Sequence, residues 1–347
     1  MKKEKTGKST VTLLIAAAVC VLIVLVVTDV LHKAPKETDK YSVAMGTVIT
    51  QRIFSSSDAS SVCDGVCDVI SSLEDEISWR KDTSFIYSLN NNNSSAVSKE
   101  MEDTLLLCRS VYGFSGGAFD ITVGKLTTLW NIGEDNARVP KKSEIENALS
   151  FVDGSQVKTD NGFVTSNEGQ FCDLGAVGKG LACDKAKKYL EETDISGAVI
   201  SVGGSVLLYG ENDKSKDWVV AVRDPSGESE DYMGTLSLSD CCVSTSGDYE
   251  RVLVSGDNAY HHIIDPKTGY PADSALRSVT VVCQSGLLSD ALSTACFVLG
   301  HEDGKKLLKE FGAEGVFIDK EGIVYVTDGL KASFTLTTDA YVLSGEE

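Results

Sequence analysis

Asp290 and Thr294 stand four residues apart in the otherwise apolar stretch LLSDALSTACFVLG (287–300). A helix there would set a carboxylate and a hydroxyl one above the other on one face. Oxygen ligands of that kind suit a hard cation such as Mg2+, which takes few protein ligands and leaves room for phosphate and water. The plainer alternative is helix-end chemistry, with Ser289 as N-cap and Asp290 in the first turn. A second stretch, DLGAVGKGLACD (173–184), rings Lys179 with Gly175, Gly178 and Gly180 ahead of an expected helix. Such a turn can aim backbone N–H groups at a phosphate, or it can simply pack tightly. It fits neither the P-loop spacing nor a dinucleotide fingerprint. A third, YHHIIDPKTGYP (260–271), holds two of the chain's four histidines with Asp265 and the turn residues Pro266, Gly269 and Pro271. It offers a general base, or else a surface histidine pair on a β-turn. In SVGGSV (201–206) the glycines permit close backbone approach after a strand.

The elements that must position these residues can be read from periodicity. Residues 41–54 are rich in β-branched side chains and read as a strand, while 58–78 carry Val62, Val66, Val69, Ile70 and Leu73 at helical spacing. Residues 89–96 (LNNNNSSA) read as a loop, 97–113 as a helix ended by the glycines of FSGGAFD (114–120), and 141–150 as a short helix. Beyond 162 strands alternate with helices: a helix through Leu190, strands in 197–210, 217–225, 234–247 and 278–286, and a hairpin in 312–330 turning near 320–322. No repeat or second linker interrupts this. The expected fold class is α+β, one large catalytic domain over 41–347 with mixed or antiparallel sheets and packed helices.

Composition sets the surroundings. The chain has 347 residues, 42% hydrophobic, enough for a large core, and a net charge of −19 that argues against a nucleic-acid partner. Lys2, Lys3, Lys5 and Lys8 precede an apolar run at 11–27. We read residues 1–31 as an uncleaved signal anchor with its basic end inside, 32–40 as a polar linker, and the rest as extracytoplasmic. The ten cysteines show no paired C-x-x-C units and read mainly as small buried residues, with one or two disulfides left open.

Taken in order, AMGT (44–47), GGAFDITVGKLTTLW (116–130), DLGAVGKGLACD, ISVGGSV (200–206), STSGDYER (244–251), HHIIDPKTGYP and SDALSTACFVLG resemble the FAD:protein FMN transferases, the ApbE family. The resemblance spans roughly 41–330. It implies an enzyme that binds FAD with Mg2+ and moves FMN onto a threonine or serine hydroxyl of an acceptor flavoprotein, releasing AMP. By the same resemblance Asp290, Thr294 and the backbone carbonyl of Ala176 hold the metal, and His262 is the catalytic base. Met45, Trp79, Ala118, Phe119, Asp120, Asp173, Lys179 and Ile264 fall at positions that contact FAD. Acceptors are expected among extracytoplasmic electron-transfer proteins bearing an exposed threonine. The chain departs from the family pattern at Gly178, where many relatives have Ala, and at Ser205, where many have Asn or Asp. An FAD pyrophosphatase giving FMN and AMP, or a non-catalytic flavin-binding protein at the cell surface, are the alternatives.

Overall fold

The computed structural model describes residues 35–212, 217–228 and 230–345. The main sheet has nine strands, which lie side by side in the order in which they occur along the chain. They are β1 (Lys36–Ala44), β2 (Thr47–Ser55), β3 (Gly197–Val202), β4 (Ser205–Gly210), β5 (Cys241–Gly247), β6 (Leu276–Cys283), β7 (Glu314–Asp319), β8 (Ile323–Val326) and β9 (Val342–Leu343). All neighbours are antiparallel except β8 and β9. The helices are α1 (Ser60–Ile77), α2 (Phe85–Asn92), α3 (Lys99–Phe114), α4 (Gly124–Trp130), α5 (Lys142–Leu149), α6 (Gly178–Leu190), α7 (Gly286–Leu299) and α8 (His301–Glu310).

The central strands are buried on both faces, which is why they read as apolar runs rather than as alternation. Adjacent residues point to opposite sides. Leu207 joins a core with Ile70 of α1, Leu181 and Ala186 of α6, and Leu292 and Ala295 of α7. Leu208 joins a second core with Trp218, Leu236 and Ile318. That second face is covered by a three-stranded sheet of Trp218–Arg223, Tyr232–Leu238 and Phe334–Leu336. A third cluster, of Leu126, Trp130, Ile145 and Ile264, ties α4 and α5 to the segment after residue 260. The α+β class with antiparallel sheets is therefore as expected.

Several sequence expectations are corrected. Residues 36–40 are not linker but the start of β1, paired in unbroken register with β2 from Lys36↔Ser55 to Ala44↔Thr47. Their charges suit an edge strand, where Arg52 bridges to Glu37 and Asp39. The single strand expected at 41–54 is thus a hairpin, turning at Met45 and Gly46 with φ of 54° and 69°. Residues 89–96 are not a loop. They hold the end of α2, closed by left-handed Asn93, and a short strand at Ser94–Ala96. The nine cysteines among the described residues are free, and all but the half-buried Cys67 are buried. The apolar run at 11–27 lies outside the described residues, among which no helix is long and apolar enough to cross a membrane.

Candidate active site

Two helices meet at the centre of the site almost backbone to backbone. A Cβ on Gly180 would stand 1.9 Å from the Gly286 carbonyl oxygen, and one on Gly286 would stand 2.1 Å from that of Gly180. Only glycine allows this crossing of α6 and α7. Asp184, one turn further along α6, fastens it. Its carboxylate accepts from the Gly286 N–H (2.6 Å), the Leu287 N–H (2.9 Å) and the Ser285 hydroxyl (2.9 Å). These are free donors of the α7 N-terminus, where an acid is favoured. Burial pushes the Asp184 carboxyl above its ordinary pKa, and those hydrogen bonds pull it back. The N-cap of α7 is Ser285, not Ser289. Asp290 is consequently past the first turn, and helix-end chemistry does not account for it.

Asp290 is 4% exposed and bridges three elements. Its Oδ2 accepts from the Gly180 N–H at 2.6 Å and its Oδ1 from the Ser205 hydroxyl at 2.5 Å. The amide that the glycine turn could have offered to a phosphate is therefore used on this carboxylate. Ser205, where the family pattern has Asn or Asp, is the donor from β4. Thr294 lies further along the same stripe, 3.5 Å from the Ser246 hydroxyl of β5. A seam of hydroxyls runs beside it: Ser244 with Ser289 at 2.8 Å, and Ser246 with Ser293 at 2.9 Å. Ala176 is exposed just before α6. No group of three or more His, Cys, Asp or Glu side chains gathers as a metal cage among the described residues. A cation here would rely on one carboxylate, hydroxyl and carbonyl oxygens, and the phosphates of its ligand. That small, all-oxygen share fits Mg2+.

Three turns bring the other candidates to the same place. The β3–β4 turn has Gly203 at φ +59°, where an added Cβ would lie 2.8 Å from Thr47 Oγ1 and 3.3 Å from Lys179 Cδ. The Lys179 stem therefore lies across this turn, which is the close approach foreseen for SVGGSV. Met45, at the β1–β2 turn, reaches Gly178: a Cβ there would be 3.1 Å from its Cε. His262 sits within the electrostatic reach of Lys179, Arg251 and His261. Burial first, and then the charges of Arg251 and Lys179, lower its pKa to about 4, so it is neutral at pH 7. Its Nδ1 is buried without a hydrogen-bond partner. His261 plays a different part, with Nε2 donating to the Ala272 carbonyl at 2.9 Å and Nδ1 accepting from the Ile263 N–H at 3.3 Å.

The remaining predicted contacts form a flank. Asp173 accepts from the Gly175 N–H (2.8 Å) and the Thr127 hydroxyl (3.2 Å). Trp79 packs edge-on to Phe171, with ring centroids 5.4 Å apart, and carries the Arg80 guanidinium over its own ring. Ile264 is buried in the Trp130 cluster. Ala118, Phe119 and Asp120 have buried side chains. Asp120 accepts from the Thr122 N–H and hydroxyl (both 2.7 Å) and the Gly154 N–H (2.8 Å), so its carboxylate knits two loops together. Burial raises its pKa against those bonds.

Sequence reasoning assigned no role to Asp184, to Asn90 or to Trp130. The Asn90 side chain clamps Cys172 on both sides, donating to its carbonyl (2.9 Å) and accepting from its N–H (2.7 Å). This holds the start of the 173–180 turn. Trp130 Nε1 donates to the Gly269 carbonyl at 2.8 Å and so holds the far side of the histidine loop. The only sequence signal for any of these was membership of a quoted motif.

A mixed sheet with a carboxylate, a lysine and a neutral histidine gathered over crossed helices defines a site for an anionic ligand. The ApbE family model matches residues 45–317, and the chain belongs to that family. It is 33% identical over 318 residues to an FAD:protein FMN transferase of Treponema pallidum, covering 85% of this chain and 88% of the relative. With one from Klebsiella pneumoniae it shares 27% identity, over 86% and 95% of the two chains. The crystal structure of the ApbE protein of Thermotoga maritima superposes with a TM-score of 0.76 at 31% identity, covering 85% of this chain and 98% of that one.

Proposed function

We infer that this chain transfers the FMN half of FAD to a threonine or serine hydroxyl of an acceptor protein and releases AMP, with Mg2+ as cofactor. The observation that carries this reading is His262: a buried, neutral histidine with an unpaired Nδ1, within the electrostatic reach of Lys179, whose neighbour Gly180 donates its N–H to Asp290. Flavin binding alone needs no base. A hydroxyl nucleophile does, and a well-placed base is worth about 10²–10⁴-fold.

Mg2+, held by Asp290, Thr294 and the Ala176 carbonyl, would neutralise the diphosphate and the charge that grows on departing AMP. Lys179 adds fixed positive charge beside the histidine. His262 accepts the hydroxyl proton as the acceptor oxygen bonds to the FMN phosphorus and the bond to the bridging oxygen breaks. That oxygen leaves with AMP. Positioning and electrostatics carry most of such a transfer. Met45, Trp79, Ala118, Phe119, Asp120, Asp173 and Ile264 are assigned to the FAD-binding walls. The lysine-flanked apolar run at 11–27 supports membrane anchoring with the domain extracytoplasmic, which puts electron-transfer proteins of that compartment forward as acceptors.

The test incubates the full chain with FAD, Mg2+ and a candidate acceptor, following AMP release and acceptor mass. AMP together with a flavinylated acceptor is expected. AMP with free FMN would make the protein a pyrophosphatase, and no AMP would make it a carrier. Asp290→Ala should abolish Mg2+-dependent turnover; full activity on added Mg2+ would remove Asp290 from the metal site.

A further inference from the structure

STSGDYER runs from β5 into a two-stranded ribbon, Val252–Ser255 paired with Asn258–His261. Val252 faces His261 in its last register pair, so Arg251 and His262 stand side by side at its base, and the His262 N–H donates to the Arg251 carbonyl at 3.2 Å. The neighbouring acids are committed elsewhere: Asp248 to Arg277 at 2.9 Å and Glu250 to Arg223 at 3.2 Å. Arg251 pairs with no carboxylate of the described residues, although the chain carries a net charge of −19. Its stem is nonetheless seated. Gly133 has φ +94°, and a Cβ there would stand 2.8 Å from Arg251 Cδ. The fixed charges that act most on His262 are Arg251 and Lys179, both positive. Two fixed cations gathered without a counter-anion, in an acidic protein, describe a site whose negative charge arrives with its ligand.

We propose that Arg251 is a further binding residue for the reaction, its guanidinium clamping the phosphoryl group that passes from FAD to the acceptor. The proposal rests on the transferase reading above. The acceptor oxygen bonds to the FMN phosphorus, the bridging oxygen departs with AMP, the proton passes to His262, and the non-bridging oxygens carry the charge that Arg251 meets. A planar, permanently charged fork suits those oxygens better than an ammonium does. The same charge adds to burial in keeping its neighbour His262 deprotonated, so Arg251 acts on both partners of the proton transfer.

The test compares wild type, Arg251→Ala and Arg251→Lys in the full chain, measuring AMP release against FAD concentration and pH, with melting temperature as control. Arg251→Ala should lower kcat/KM about 10²-fold or more and move the acid limb of the pH profile upward. Arg251→Lys should keep the wild-type limb and regain part of the rate. Melting temperatures should differ little, because Arg251 is an exposed residue. Wild-type kcat/KM and an unmoved limb in Arg251→Ala would overturn the assignment while leaving the transferase reading intact. Absence of AMP with wild type would overturn that reading first, and this one with it.

Discussion

The two halves of the site are built by different means. The α6–α7 crossing is backbone against backbone, set by Gly180 and Gly286 and locked by the carboxylates of half-buried Asp184 and buried Asp290. The histidine loop is held by turn chemistry and by side chains, Ile263 and Ile264 in the core and Trp130 on Gly269. Lys267 N–H donates to Asp265 Oδ1, Gly269 N–H donates to the Asp265 carbonyl, and Trp130 grips Gly269 from below. The first half has no slack, because interiors packed at this density transmit any added atom. The second is anchored through side chains instead, with Ile263 in the main core and Ile264 in the Trp130 cluster. One wall of the site is thus fixed by backbone contact, the other by side-chain packing.

The comparison breaks most sharply at the crossing. Gly180→Ala would push a methyl group into the Gly286 carbonyl, which as backbone cannot yield, and to within 2.9 Å of the Asp290 carboxyl carbon. We expect a loss of about 3 kcal/mol or more, at the upper end of overpacking effects, with metal-dependent turnover lost in whatever still folds. Thermal melting and AMP release check this. A variant melting like wild type with normal turnover would show that the crossing is looser than drawn.

Legibility in the sequence follows the same division. The Asp290–Thr294 stripe was readable because helical spacing is local. So were the glycine turns, although Gly180 serves helix crossing and gives its amide to a carboxylate rather than to phosphate. What stayed hidden joins residues far apart in the chain: Asp184 with 285–287, Ser205 with Asp290, Asn90 with Cys172. Nothing in the spacing of either partner announces such pairs. The β1 strand was missed for another reason. Charges on KETDK resemble a linker, yet an edge strand tolerates them.

The loop half is tested by pH. The proposed reaction uses a neutral His262, whose pKa is held at about 4 against an ordinary 6.5. Protonation is therefore resisted as pH falls, and kcat/KM, which reports the free enzyme, should stay level from neutrality to about pH 5. It should drop only as the pH nears 4. A limb near 6.5 would mean that the histidine is solvated and that its positive neighbours do not reach it. His262→Ala should lose about 10²–10⁴-fold in transfer while FAD binding, followed by flavin fluorescence, persists.

The smallest effect tests how far the loop half depends on a single side-chain hydrogen bond. Trp130→Phe keeps an aromatic ring in a site 1% exposed but removes the donor to Gly269. Tyr260 and Tyr270 remain close, their ring centroids 5.3 and 5.9 Å from the indole in the native protein. The lost hydrogen bond is worth ~1 kcal/mol. If that loss appears as loop misplacement, kcat falls about fivefold with KM for FAD unchanged, because the FAD walls around Met45 and Asp173 stand on other elements. If instead melting temperature falls and kcat does not, the loop finds its place through Asp265 and the Ile264–Pro271 bridge alone. Trp130 would then belong to the core of α4 and α5 rather than to the positioning of the base.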